Sequence, residues 1–372
     1  MFYLGGATRG QDSIIVNVVI VGAGVAGLAV GWRLRQAGAE VTILERAQPA
    51  HAATWAAAGM IAVAGEMGGA KGPEAEFARR AAGLWPDFAR ELEMASGQEV
   101  GYRRSGALFV ARTDAEMVAF QNWSGVERLD AARAHAREPM LASGIAGALW
   151  APDEAQVDSR ALGQALAAAF VRAGGTLSIN EAAVRFDVRD GQAVALHTPF
   201  RRYEADAFIV AAGAWSGGFG GLAPGTLPPV RPVKGEMIAV MPKDACDLPR
   251  HVVWGNEVYL VPRGDRLLIG ATMADAGFDT SATDAAANWL SSRAIGLMPS
   301  LARWEVVERW AGLRPATPDG APVLGATKVA RLFIASGQFR NGILFAPAVA
   351  ETMTRLVLEH AAAIPAFDPR RF

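Results

Sequence analysis

The chain has 372 residues, 51% of them apolar and 20% charged, with 36 basic and 37 acidic side chains and a formal net charge of −1. That length exceeds one typical core of roughly 100–200 residues and predicts two domains; the apolar fraction excludes a disordered chain, and the balanced charge argues against nucleic acid as a partner. A single cysteine, Cys246, excludes an internal disulfide, thiolate metal clusters and a CxxC redox pair, and the five histidines lack metal-binding spacing, so no metal is expected and any redox chemistry calls for an organic cofactor.

In chain order, residues 1–13 read as a loose polar extension. Ile14 to Trp32 is almost uncharged and long enough to imitate a membrane span. It holds Asn17 and four glycines, however, and divides into two short elements, so no stable membrane insertion is expected. Ile15–Val21 predicts a buried strand and Ala23–Ala37 a helix stopped by Gly38. Glu40–Glu45 is the next strand, which completes a βαβ unit. Ser159–Ala173 is a second helix, capped by Asp158 or Ser159. Thr176–Ile179 follows as a strand, then a hairpin of 184–188 and 194–197 about Asp190-Gly191. Asp206–Ala211 is another buried strand. A hairpin of 258–262 and 266–270 turns at Gly264-Asp265, Leu332–Ala335 is the last buried strand, and Pro347–Ala361 is a closing helix with proline in its first turn.

Buried strands thus lie before and after long intervening segments. The pattern predicts a discontinuous nucleotide domain over 14–82, 148–222 and 306–372. A second domain over 83–147 and 223–305 runs through it.

Between the first strand and the first helix stands a GxGxxG, Gly22-Ala23-Gly24-Val25-Ala26-Gly27. Gly22 permits the tight turn, Gly24 admits a pyrophosphate to the backbone, and Gly27 lets helix and strand pack closely. The helix N-terminus offers N–H groups to phosphate. Glu45, ending the second strand, can accept hydrogen bonds from ribose hydroxyls and disfavours a 2′-phosphate. To this point FAD and NAD fit equally well.

The run Ala53-Thr54-Trp55-Ala56-Ala57-Ala58-Gly59-Met60 is built of small residues that allow close approach to a large planar cofactor. With the fingerprint, it resembles the glycine oxidase branch of the D-amino-acid-oxidase-like FAD oxidoreductases. So do the segments 211–216 (AAGAWS), 259–262 (YLVP), 270–273 (GATM), 310–320 (WAGLRPATPDG) and 337–348 (GQFRNGILFAPA). The likeness spans roughly residues 15–360. It implies an α/β fold (α+β overall): a Rossmann-like FAD domain of the glutathione-reductase type, interleaved with an antiparallel β-sheet substrate domain. It implies FAD contacts at Val25, Ala26, Glu45, Arg46, Ala53, Thr54, Ala58, Gly59 and Met60. Further contacts are implied at the main chain of Val184, at Gly213, and along Gln338, Phe339, Arg340, Asn341, Gly342, Ile343 and Leu344.

Two departures concern attachment of the flavin. Relatives that bond it covalently use a cysteine in the C-terminal part or a histidine beside the tryptophan of the Ala-rich segment. Here the WAGLRP region has no cysteine and Ala56 follows Trp55, so non-covalent FAD is expected, released intact on denaturation, with Cys246 an ordinary loop residue. Glu257 stands where some glycine oxidases place histidine.

The resemblance assigns Arg314 to the substrate carboxylate, for which a planar guanidinium fork is suited. Tyr259 hydrogen-bonds the same group, Arg340 is a second arginine near the pocket, and Met273 limits it beside the flavin. No general base is evident near these motifs. The implied reaction is oxidation of glycine, sarcosine or small D-amino acids by hydride transfer from the neutral amine to flavin N5. It gives an imine or α-keto acid, ammonia or amine, and hydrogen peroxide from O2, and the imine is a candidate feed for thiamine thiazole synthesis. The alternative on the same fold is a D-amino-acid or imino-acid dehydrogenase with a quinone acceptor, and a third reading is a flavin-binding subunit of a larger complex. A cytoplasmic homo-oligomer, tetramer or dimer, is expected.

Overall fold

The computed structural model describes residues 15–243 and 247–372. The expected N-terminal extension and Cys246 lie outside the described residues. Two sheets organise the chain. The first has six strands, in the spatial order Val323–Ala326, Leu332–Ser336, Ala207–Val210, Asn17–Val21, Glu40–Leu44 and Thr176–Ser178. All its neighbours pair parallel except the first two, which are antiparallel.

Alternation along Asn17–Val21 sorts its side chains between two layers. Val18 and Ile20 pack on a helical layer of Val25–Gln36, Pro73–Ser96, Ser159–Arg172 and Gly342–Leu358, whose core includes the fully buried Trp32, Trp85, Phe88, Phe170 and Phe345. Val19 and Val21 face a three-stranded sheet of Arg185–Arg189, Gln192–His197 and Arg202–Tyr203.

The second sheet has eight strands, in the order Trp304–Ala316, Arg231–Pro242, Arg266–Gly270, Val258–Arg263, Val252–Gly255, Ala107–Ala111, Gly147–Ala151 and Glu127–Asp130. Its pairs are antiparallel except Ala107–Ala111 with Val252–Gly255. One face, with Leu108, Ile238, Leu260 and Ile269, is covered by the helix Asp284–Leu297. The opposite face, with Phe109, Met237, Tyr259 and Trp310, meets Ala56, Ala58 and Ala64 of the segment after the second strand. The cavity opens between these layers.

Several expectations shift. Residues 83–96 belong to the helix Pro73–Ser96 and pack in the first core, while the strands Gly147–Ala151 and Trp304–Ala316 of the second sheet run across the expected boundaries, carrying 148–151 and 306–316 to the other side. The closing helix begins at Gly342, and Pro347 lies inside it rather than in its first turn. Ile343, Leu344 and Phe345 are already buried against the helical core, so packing extends the helix upstream of the proline.

Candidate active site: a cofactor cradle and a carboxylate clamp

A single cavity of about 770 Å³ runs from the GxGxxG turn to the face of the second sheet. At the turn, Gly22 has φ +104°, and a Cβ there would stand 2.5 Å from Ala211 O. A Cβ on Gly27 would lie 1.9 Å from Gly22 O, so this glycine serves helix–strand contact and does not line the cavity. A Cβ on Gly24 would meet only Thr54 Oγ1 at 3.6 Å. Thr54 Oγ1 accepts the Val25 N–H at 2.9 Å, fixing the Ala-rich segment to the helix start. Glu45 accepts the Ala23 N–H at 2.8 Å through Oε2 and the Ala47 N–H at 3.0 Å through Oε1. Each oxygen keeps further acceptor capacity toward the cavity it lines.

A second helix start, Asn341–Gly342, closes the same end. Gln338 and Asn341 are each 6% exposed, and Gln338 Nε2 and Asn341 Oδ1 have no hydrogen-bond partner among the described residues. Buried polar atoms without partners are costly, and both residues line the cavity.

The other end is built from side chains. The Arg314 guanidinium lies over Gly235, where a Cβ would come within 2.2 Å, and Nη1 donates to Thr272 O at 3.1 Å. The Tyr259 ring lies over Gly270, with a hypothetical Cβ at 2.5 Å. Burial pushes the Tyr259 phenol up, against the opposing pull of Arg314, so it stays a neutral donor. Arg340 Nη2 stands 2.8 Å from Glu66 Oε2. Phe109, Phe120, Trp123 and Trp254 wall this end, and buried Trp254 Nε1 has no acceptor among the described residues.

A family profile described as "FAD dependent oxidoreductase" matches residues 17–356. The chain belongs to this family. This FAD-dependent oxidoreductase is 36% identical over 361 residues to the "Bifunctional protein ThiO/ThiG" of Trichormus variabilis, with 92% of this chain and 53% of that protein aligned. It spans about half the length of that relative. It is also 36% identical to the "Glycine oxidase" of Geobacillus kaustophilus, over 89% of this chain and 90% of the relative. The crystal structure of glycine oxidase from that organism superposes with a TM-score of 0.88 at 33% identity, covering 96% of this chain and 99% of the other. The expected α/β architecture, the FAD dependence and the oxidoreductase class therefore hold.

The residues present fit FAD. Two helix starts, a glycine-lined turn, a ribose acid and two partnerless buried amide atoms converge on a cavity of the volume such ligands take.

Of the residues singled out from the sequence, the cavity is lined by Gly22, Gly24, Val25, Ala26, Glu45, Arg46, Ala53, Thr54, Ala58, Gly59, Met60 and Gly213. Gln338 to Ile343, Tyr259, Met273 and Arg314 complete the lining. Val184 is not brought there: its N–H donates to His197 O and its C=O accepts from Gly220, and Ala182 and Ala183 line the cavity instead. Leu344 is also displaced, 1% exposed, with its carbonyl accepting from Trp85 Nε1 at 3.0 Å. Met273 is 66% exposed, at the mouth. Glu257 pairs with Arg293 at 2.9 Å.

Sequence reading passed over Glu66, Trp254 and the aromatic wall. Glu66 does carry a signal: it is the only charged residue between His51 and Lys71. A lone acid in an apolar run beside a cofactor segment has few structural reasons to be there.

Proposed function

We propose that this chain is an amino acid oxidase acting on glycine and other small amines such as sarcosine and small D-amino acids, with FAD held non-covalently. The observation that carries the reading is the meeting of Arg314, Tyr259 and Arg340 at one end of the cofactor cavity. Two guanidinium groups and a neutral phenol match a carboxylate, while the aromatic wall keeps water from the adjoining carbon. The glycine oxidase relative at 36% identity supports the same substrate class. Among the described residues the cavity lining includes no cysteine or histidine to which a flavin could bond, and the sequence places neither where covalent relatives carry one, which supports non-covalent FAD.

Bound FAD supplies the two-electron acceptor. The protein's part is positioning: the guanidiniums fix the carboxylate, and the α-carbon is thereby held in the apolar section. The product is an imine, hydrolysed to the α-keto acid with release of ammonia or amine, while O2 becomes hydrogen peroxide. The ThiO/ThiG relative supports the imine as a feed for thiamine thiazole synthesis. The reading extends to a cytoplasmic homo-oligomer, dimer or tetramer, checked by cell fractionation and light scattering.

Anaerobic bleaching of the flavin by glycine, sarcosine and D-alanine, followed by admission of O2, tests the proposal. Bleaching and peroxide release are expected. Bleaching without peroxide would replace the oxidase with a dehydrogenase, and no bleaching by any amine would sink the reading.

A further inference from the structure

An amino acid reaches such a site as a zwitterion whose ammonium keeps its proton up to a pH of about 10. The nitrogen must lose that proton before its lone pair can assist departure of the α-hydrogen as hydride. Arginine has no acceptor atom, and the buried Tyr259 phenol is held neutral, so the clamp by itself offers the proton nowhere to go.

Glu66 stands in the same chamber with its side chain 8% exposed. It belongs to the short helix Val63–Met67. Arg340 Nη2 pairs with its buried Oε2 at 2.8 Å, and because a carboxylate oxygen has more than one acceptor direction, it keeps capacity toward the chamber it lines. The helix is fixed from behind by Glu154, whose Oε1 accepts the Ala64 N–H at 2.6 Å. Charged and titratable groups face Glu66 from every side. These are Arg340 of the loop before the last helix, Arg314 of the strand Trp304–Ala316, Glu154, Glu74 of the helix Pro73–Ser96, and Tyr259. Burial pushes the Glu66 carboxyl up and the two arginines pull it back, Arg340 more than Arg314.

We infer that Glu66 is the proton acceptor for the substrate's ammonium group, an inference that rests on the amino acid oxidase reading. The substrate carboxylate competes with Glu66 for the Arg340 guanidinium. As the carboxylate docks, the charge on Glu66 is less compensated and its oxygen becomes a stronger base. The N–H bond of the ammonium breaks, an O–H bond forms on Glu66, and the amine is left neutral with its electron pair. No oxidant is involved in this step. Bound FAD would supply the acceptor for the α-hydrogen and its bonding pair; Glu66 returns its proton to solvent past Arg340, whose side chain is 44% exposed, when the product leaves.

The test is the rate of anaerobic flavin reduction by saturating glycine from pH 6 to 10, in the holoenzyme and in Glu66→Gln and Glu66→Asp. At pH 7, Glu66→Gln is expected to be slower by about 100-fold, the usual worth of a positioned base. The deficit should close to a few-fold at pH 10, where free amine is abundant. Glu66→Asp keeps a carboxylate and should recover at least about tenfold over Glu66→Gln at pH 7. A Glu66→Gln enzyme within twofold of wild type at pH 7, or one with the same deficit at pH 7 and pH 10, overturns the assignment. Should Glu66→Gln lose flavin, Glu66→Asp decides, and an acid limb unmoved from wild type overturns the assignment. Failure of the wild-type enzyme to be reduced by any amine overturns instead the reading on which the inference rests.

Discussion

The two ends of the cavity are made of different material. The cofactor end is mostly backbone and small side chains from short contiguous stretches, at 22–26, 53–60 and 338–343. The substrate end is made of long side chains from distant places: Glu66 from a short helix, Phe109 and Tyr259 from inner strands, Arg314 from an edge strand, and Arg340 from a loop. A backbone-built site should fail by steric exclusion and lose its ligand altogether. A side-chain-built site should fail by degrees, one interaction at a time, with the cofactor still in place.

The largest effect is expected at Gly27→Ala, where the new Cβ would meet Gly22 O at 1.9 Å. Overpacking against backbone costs about 3 kcal/mol, so gel filtration should recover protein without flavin and with a lowered Tm. Arg314→Ala should leave the flavin spectrum intact and raise the apparent KM for glycine about 100-fold, the worth of a charge-assisted fork. Normal glycine oxidation by that variant would remove Arg314 from the clamp.

Arg340→Ala is smaller, about tenfold in KM, because its guanidinium is partly spent on Glu66. It carries a second signature: without that cation the Glu66 carboxyl rises further, so the acid limb of flavin reduction should move to higher pH. The smallest effect is at Glu154→Gln. Burial pushes Glu154 up to about 8 from its ordinary 4.5. Between those values the folded chain binds more protons than the unfolded one, and stability falls as pH rises. Glutamine keeps an acceptor for the Ala64 N–H. The variant's Tm should match wild type at pH 5 and exceed it by about 2 °C at pH 8.5.

The same contrast explains what could be read from the chain. Strand, turn, helix and acid follow one another within residues 17–45, where local periodicity and glycine spacing carry the meaning, and the structure has each within a residue or two. Arg314 and Tyr259 were reached through resemblance of whole segments, since a lone arginine before Pro315 carries no local signal. Val184 failed because a main-chain contact depends on which neighbours claim its N–H and C=O, here His197 and Gly220. The helix Pro73–Ser96 has no counterpart among the expected elements: Pro86 interrupts the local helical signal, and burial of Trp85 and Phe88 on either side of it overrides that. Glu66 escaped because only tertiary contact brings it to Arg340.

The strand Trp304–Ala316 turns three alternate residues the same way. Trp310 Nε1 donates to Ala56 O at 3.0 Å, a Cβ on Gly312 would meet the Ala56 Cβ at 2.5 Å, and Arg314 reaches the carboxylate clamp. Two residues of strand advance about 7 Å, so on the proposed reading the pleat gauges the span from the loop at Ala56 to the group that Arg314 would hold. A slip of one residue would present Ala311, Leu313 and Pro315 instead and lose both attachments together. Reach along this axis is therefore quantised. On the proposed reading, substrate length is then set by wall side chains such as Phe120 and Trp123 rather than by the position of the clamp.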